Sequence, residues 1–316
     1  MDQKTTPVND GVRCPVSRRA FVRTAALTGA GIASVGTASG ESSQRGFPPE
    51  GVTEWGDPVN LGNGKLRTFT TVTPSGQPKY HGVHLDRSSL TGLPDGESLE
   101  EQGTSSDPGD KYGPDGEAVE IHHAWSLEYF VPFPETDATG FTFLGLSWNP
   151  EGHLPEGVYN VPHFDIHFHW LEAKFVDDIP EIHEATYDIP EKFIPEGFQR
   201  IPEGGGEYEG KFVAVRDMGE HLADLSAPDN QPGEFENTLI WGAYDPDDDG
   251  VGELTFVEPM VTTEYLEGLR GRDKREVAQP EEYARPGAYP RSYSVRDLPQ
   301  EDAIAITIED FTTVDG

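Results

Sequence analysis

Cysteine is almost missing from this chain of 316 residues, with Cys14 alone, and basic side chains are few, 23 Lys and Arg against 57 Asp and Glu. A single cysteine excludes a disulfide framework and a thiolate metal cage. The formal charge of −34 excludes nucleic acid as a partner, because phosphate neutralisation needs clustered Lys and Arg. It argues against anionic membrane surfaces for the same reason. No apolar run approaches the roughly 20 residues of a membrane-spanning helix, so no stable membrane anchor is expected. No internal repeat, Gly-rich nucleotide loop or Ser-His-Asp order stands out. What is present suffices for a core: 34% apolar residues, 36 glycines and 10% aromatics, the last too many for a disordered acidic chain.

The acids are scattered along the chain rather than gathered in a tail, and Arg outnumbers Lys. Single-sign charge of this size loosens a compact state by self-repulsion. Molar salt relieves that, since the Debye length falls to about 3 Å at 1 M. The composition therefore reads as halophilic.

Residues 1–40 read as an address. Ser17-Arg18-Arg19-Ala20-Phe21-Val22-Arg23 precedes a mild apolar stretch, 25–35, rich in Ala and Gly, and small residues at Gly36, Ala38 and Gly40 offer cleavage sites. The pattern resembles the twin-arginine export signal, whose pathway carries folded proteins, and so implies an extracellular location. Cleavage there would remove Cys14 and leave an even more acidic chain.

The remainder reads as mainly β, either all-β or β-dominated α+β: an antiparallel sheet, sandwich or barrel with a few short helices. Residues 41–64, rich in Gly, Pro and Ser, are expected to be a flexible linker, and 65–316 the β-rich domain, with an optional subdomain division near 175–210. Strands are expected over 66–73, 119–133, 141–148, 159–170, 212–216, 235–244, 254–257 and 304–311. Helices are expected over 177–185 and 261–270, and loops over 94–116 and 279–290.

The chemistry concentrates on Val161-Pro162-His163-Phe164-Asp165-Ile166-His167-Phe168-His169-Trp170. Successive strand side chains point to opposite faces. Phe164, Ile166, Phe168 and Trp170 therefore make one apolar face, and His163, Asp165, His167 and His169 the other. Residues two apart on a face sit about 6.5–7 Å apart, close enough for two imidazoles to share one ion. Further ligands come from elsewhere: His153, His221 and Glu258. A set of His163, His167 and His221 with His153 or Glu258 suits zinc or another late first-row divalent ion, with Asp165 as a ligand or as the acceptor that orients a ring. The same residues are also compatible with a solvated polar face or a metal-free His cluster. Glu220 beside His221 is a candidate general base. His122-His123 can offer one ring at most to a shared face. Asp245, Asp247 and Asp249 open like a calcium loop, although a hairpin turn explains them as well. Gly145-Leu146-Ser147-Trp148-Asn149 lacks the second Gly and the helix of a nucleophile elbow.

Three resemblances follow from these residues. His167-Phe168-His169-Trp170 resembles the metal-binding strand of the α-type carbonic anhydrases, a family whose third His comes from a neighbouring strand. The nearest candidate here is His183, on a segment read as helix. His167, His169 and Glu172 resemble a cupin pattern, one residue short and without its leading Gly. A longer series is similar to a family of exported bacterial and archaeal proteins of unknown function, represented by a Thermus hypothetical protein. It comprises Leu144-Gly145-Leu146, Glu151-Gly152-His153, Gly157 to Phe168, Met218-Gly219-Glu220-His221, Thr238 to Tyr244 and Phe256 to Met260. That resemblance spans about 64–308. It implies an exported β-rich fold with no assigned reaction, and an aromatic residue where His169 stands, which leaves His153, His163, His167 and His221 as the favoured set.

Two function classes remain. One is an extracellular metal-binding or ligand-binding β protein without turnover. The other is a metal-dependent hydrolase or hydratase with carbonic-anhydrase-like chemistry, in which an open coordination position activates water. The missing nucleotide, cysteine and triad motifs favour the first. Both admit a homo-oligomer, and neither identifies a small-molecule ligand.

Overall fold

A computed structural model of the chain describes residues 46–315, apart from 122–123, 135–137 and 203–207. Cys14, the arginine pair and the cleavage region lie outside the described residues, as do His122 and His123. In chain order, β1 (Thr53–Trp55), β2 (Val59–Leu61), β3 (Gly64–Val72) and β4 (Pro78–Asp86) precede the helix α1 (Gly96–Gly103). Then come β5 (Gly109–Asp110), β6 (Gly116–Ile121), β7 (Ala124–Pro132), β8 (Phe143–Asn149), β9 (His163–His169) and α2 (Ala173–Asp177). They are followed by β10 (Gln199–Arg200), β11 (Glu220–Ala223), β12 (Asn237–Tyr244), β13 (Glu253–Thr262) and α3 (Thr263–Gly268). The chain closes with β14 (Arg272–Glu276), β15 (Gly287–Tyr289), β16 (Ser292–Leu298), β17 (Ala303–Glu309) and β18 (Thr312–Val314).

The strands form two large antiparallel sheets and a small one. The first runs β1-β3-β4-β17-β16-β14, with β2 also on β3. The second has nine strands in the order β10-β11-β12-β13-β9-β8-β7-β6-β5, and β15 pairs with β18. Both large sheets have two free ends, so the fold is an open sandwich and not a barrel. Their facing sides share one core. Leu66, Val83, Leu85, Ile304 and Ile306 from the first sheet pack with Leu144, Leu146, Phe164, Ile166, Phe168 and Val257 from the second.

The apolar half of the alternation on β9 is what seats that strand. Phe164, Ile166 and Phe168 are fully buried, and three such side chains contribute about 5–9 kcal/mol of burial. A one-residue slip would exchange them for His163, Asp165 and His167, so the register is fixed. The other side of the nine-stranded sheet is also covered. Val176 and Ile179 pack on Phe130 and Phe143, Val215 and Met218 on Phe256, and Tyr159 and Phe235 on Ile240 and Met260. Lys111 pins this roof, with its ammonium 3.1 Å from Glu128, 3.1 Å from Asp177 and 2.8 Å from Asp217. Burial opposes that charge, but the carboxylates outweigh it and raise the lysine's pKa.

Several expectations need correction. Inside 41–64, β1 and β2 are paired strands and Leu61 is buried, so the described part of that stretch is no free linker. No division falls near 175–210, because the described residues lie in one unit. Of residues 177–185 only Asp177 is helical, as the last residue of α2. The loop 94–116 contains α1, capped by the Asp95 carboxylate accepting from the Ser98 amide at 2.9 Å and held by buried Leu99. Residues 212–216 make only isolated bridges. The strand expected over 254–257 runs on through Pro259 to Thr262. Proline is tolerated inside this central strand where the pairing with β9 skips it.

Candidate metal centre

β9 lies between β8 and β13, and register decides which side chains meet there. Val257 pairs with Phe168 and Met260 with Asp165, which sets Glu258 opposite His167 on the roofed face. On the other flank Asn149 pairs with His163, Ser147 with Asp165 and Gly145 with His167. β11 adds His221 beside Gly242 of β12. Gly242 is required there, because a Cβ would overlap the Phe256 ring at 1.9 Å. That ring packs at 5.1 Å from His167 and 5.4 Å from His221. His153 arrives from the β8–β9 connection, where its amide donates to the Tyr159 carbonyl at 3.2 Å. Gly152, at φ +69, allows this closure, since a Cβ would sit 2.1 Å from the Tyr159 oxygen.

The polar half of β9 is not on solvent. His163, Asp165, His167 and His169 are 0%, 4%, 2% and 1% exposed. A solvated face is therefore overturned, by a roof of irregular segments that periodicity does not reveal.

The residues form two groups, and within each one donor atom per residue lies within 4.8 Å of the others: His153, His163 and Asp165, and His167, His221 and Glu258. All six expected ligands belong to one or the other. The expectation of four imidazoles around one point fails. His163 and His167 are four residues apart on an extended strand, about 13 Å in backbone, and each joins different partners.

In the first group, His163 Nε2 is 3.1 Å from His153 Nε2 and 3.0 Å from Asp165 Oδ1, and His153 Nε2 is 3.2 Å from Asp165 Oδ2. The opposite ring nitrogens face carbonyls, His163 Nδ1 on Val161 at 2.6 Å and His153 Nδ1 on Leu154 at 2.7 Å. A carbonyl only accepts, so each Nδ1 carries a proton and each ring turns its Nε2 inward. Asn149 Nδ2 donates to Asp165 at 2.8 Å, and the Asn149 Oδ1 accepts from Ser126 at 2.5 Å. Burial pushes the Asp165 carboxyl up, but His163 and His153 beside it hold it well below the usual range. Burial likewise opposes charge on His153, and Asp165 more than reverses this, so its pKa is raised. The point where these atoms meet favours a cation.

In the second group, His167 Nε2 is 3.3 Å from Glu258 Oε1, and His221 Nε2 is 3.7 Å from Glu258 Oε2. His167 Nδ1 faces the Gly145 carbonyl at 3.3 Å. Burial brings the His167 pKa down to about 4, so the ring is neutral at ordinary pH. Burial, and then the charge of Asp165, lift Glu258 well above the carboxylate range. Asp165 Oδ1, His167 Nε2 and Glu258 Oε2 are buried with no hydrogen-bond partner. A tetrahedral ion with bonds of about 2.0–2.1 Å places neighbouring ligand atoms about 3.3 Å apart; the first group, at 3.0–3.2 Å, is close to that spacing, and the second, at 3.3 and 3.7 Å, is wider.

Other candidates are not brought together. His169 stacks on Phe143 at 4.4 Å, and His183 is exposed and stacks on Tyr208 at 4.3 Å. Among the described residues neither joins a group, and neither the carbonic-anhydrase strand pattern nor the His169 of the cupin pattern gains a third ligand there. Glu220 points away from His221, as strand neighbours do, and Arg200 grips both of its oxygens. Asp245, Asp247 and Asp249 do not join either donor group among the described residues. Asp245 accepts from the Asp249 and Gly250 amides at 3.1 and 2.7 Å, Asp247 meets Arg285 at 3.3 Å, and Asp249 accepts from Val251 at 2.9 Å, so the loop is a turn that satisfies itself. Sequence reading missed Asn149; its only signal is its place opposite His163 once β8 and β9 are paired. Scans against protein-family models, curated proteins and solved structures return no match.

Proposed function

We propose that this is an exported, salt-adapted protein that binds a divalent metal ion, zinc or another late first-row ion, through imidazoles on the roofed face of its nine-stranded sheet. The carrying observation is the meeting of His153 Nε2, His163 Nε2 and the Asp165 carboxylate at 3.0–3.2 Å with both Nδ1 atoms turned to carbonyls. Three such atoms at that distance are relieved by a cation among them, either a proton on one ring or a metal ion, and metal content separates the two. Neutral imidazole with one carboxylate suits zinc and its neighbours better than calcium or magnesium. Export is supported by Ser17-Arg18-Arg19-Ala20-Phe21, salt adaptation by the charge of −34, and kinship with the exported family by the series from Leu144 to Met260. A metal-dependent hydratase or hydrolase is favoured by one feature: each group supplies three protein donors, the number that leaves a position for water.

The test is elemental analysis of protein purified in molar salt from cells supplied with Zn, Cu and Mn. Bound metal is expected in the wild type, and its loss from the first group in His163→Ala and Asp165→Asn. Asn149→Ala, which releases Asp165, should weaken retention about 10–100-fold without abolishing it. Metal-free wild type after such growth would discard the reading.

A further inference from the structure

We infer that the chain holds two metal ions in separate, neighbouring sites, the second on His167, His221 and Glu258. This rests on the metal-binding reading above and goes beyond it in number, order and accessibility. Three observations carry it. The six donors divide into two complete groups of three with no member in common. The second group contains buried atoms with no hydrogen-bond partner, His167 Nε2 and Glu258 Oε2, and in the first Asp165 Oδ1 lies 3.0 Å from His163 Nε2. A single ion cannot serve both, because its bonds of about 2 Å do not reach between donors whose residues are spread over the length of β9. Unsatisfied buried polar atoms are rare and need a partner, and the ion proposed for the first group does not supply one to the second.

The sites are unequal. In the first, the carboxylate is hydrogen-bonded by Asn149 and both rings are held by short contacts to carbonyls at 2.6 and 2.7 Å. In the second, the contact of His167 Nδ1 to the Gly145 carbonyl is longer, 3.3 Å, and the donors stand 3.3 and 3.7 Å apart. Ring-orienting partners raise ligand affinity, so the first site fills first. Asp165 and His167 sit two apart on one face, about 6.5–7 Å, and the charge of the first ion weakens capture of the second. Each site borders one partly exposed ring, His153 at 12% and His221 at 16% side-chain exposure, and the wider spacing of the second leaves it the more room for a water or a small anion to complete the coordination.

The experiment is titration of the metal-stripped full chain with Co(II) in molar salt, followed by its visible absorption, and with Zn(II) by calorimetry. Wild type should take up two ions in two steps at least tenfold apart in affinity. His163→Ala should keep one ion, bound with the weaker affinity. His167→Ala, and the bulkier His167→Gln in case the smaller side chain disturbs the core, should keep one ion, bound with the tighter affinity. Azide should perturb the absorption of the second ion and not of the first. One ion in the wild type, lost entirely in both His163→Ala and His167→Gln, would overturn the two-site inference while leaving metal binding intact. No ion in the wild type would overturn both.

Discussion

His81 sits between the two large sheets with no exposure, its ring 3.7 Å from that of Phe133 and its Nδ1 2.9 Å from the Thr70 hydroxyl. Burial brings its pKa down to about 3. The unfolded chain therefore binds a proton that the folded chain refuses whenever the pH lies between about 6.5 and 3. Stability from this group is complete above pH 6.5 and is lost as the pH falls, by up to about 1.4 kcal/mol per unit. Denaturant midpoints measured at constant salt from pH 7.5 to 5 should show the wild type losing stability relative to His81→Leu as the pH drops. Parallel lines would show that the ring is not held neutral.

At the scale of the element, β9 carries both the seating of the sheet and the candidate ligands. Ile166→Ala removes a fully buried side chain between the sheets and should cost about 2–5 kcal/mol in the denaturant-derived stability. A cost below 1 kcal/mol would mean that the apolar face does not fix the strand. This half of the fold was legible, because the alternation of Phe164, Ile166 and Phe168 with polar residues has only one periodic explanation. The ligand types were legible too, since His163, Asp165 and His167 share that strand's other face. Their grouping was not. It depends on Glu258 lying opposite His167 and Asn149 opposite His163, which are pairings between distant segments that no local pattern encodes. Pro259 hid the length of β13 for the same reason, as its missing amide matters only once the neighbours are known. The roof, made of segments without regular structure, carries no periodicity to read.

The whole molecule is dominated by its charge. With 57 acids against 23 bases, self-repulsion opposes compaction, and exposed pairs such as Lys192–Glu282 at 2.6 Å offset little of it. The melting temperature should rise steeply between about 0.15 and 1 M KCl, where the Debye length falls from about 8 to about 3 Å, and flatten above. A flat or falling curve would remove the case for salt adaptation. The roof over β9 also has a temporal consequence. Of the six candidate ligands only His153 and His221 keep partial contact with solvent, so an ion must pass those rings or arrive before the covering segments settle. If the chain is exported folded and holds metal as proposed, the compartment in which it folds would choose the ion that it carries.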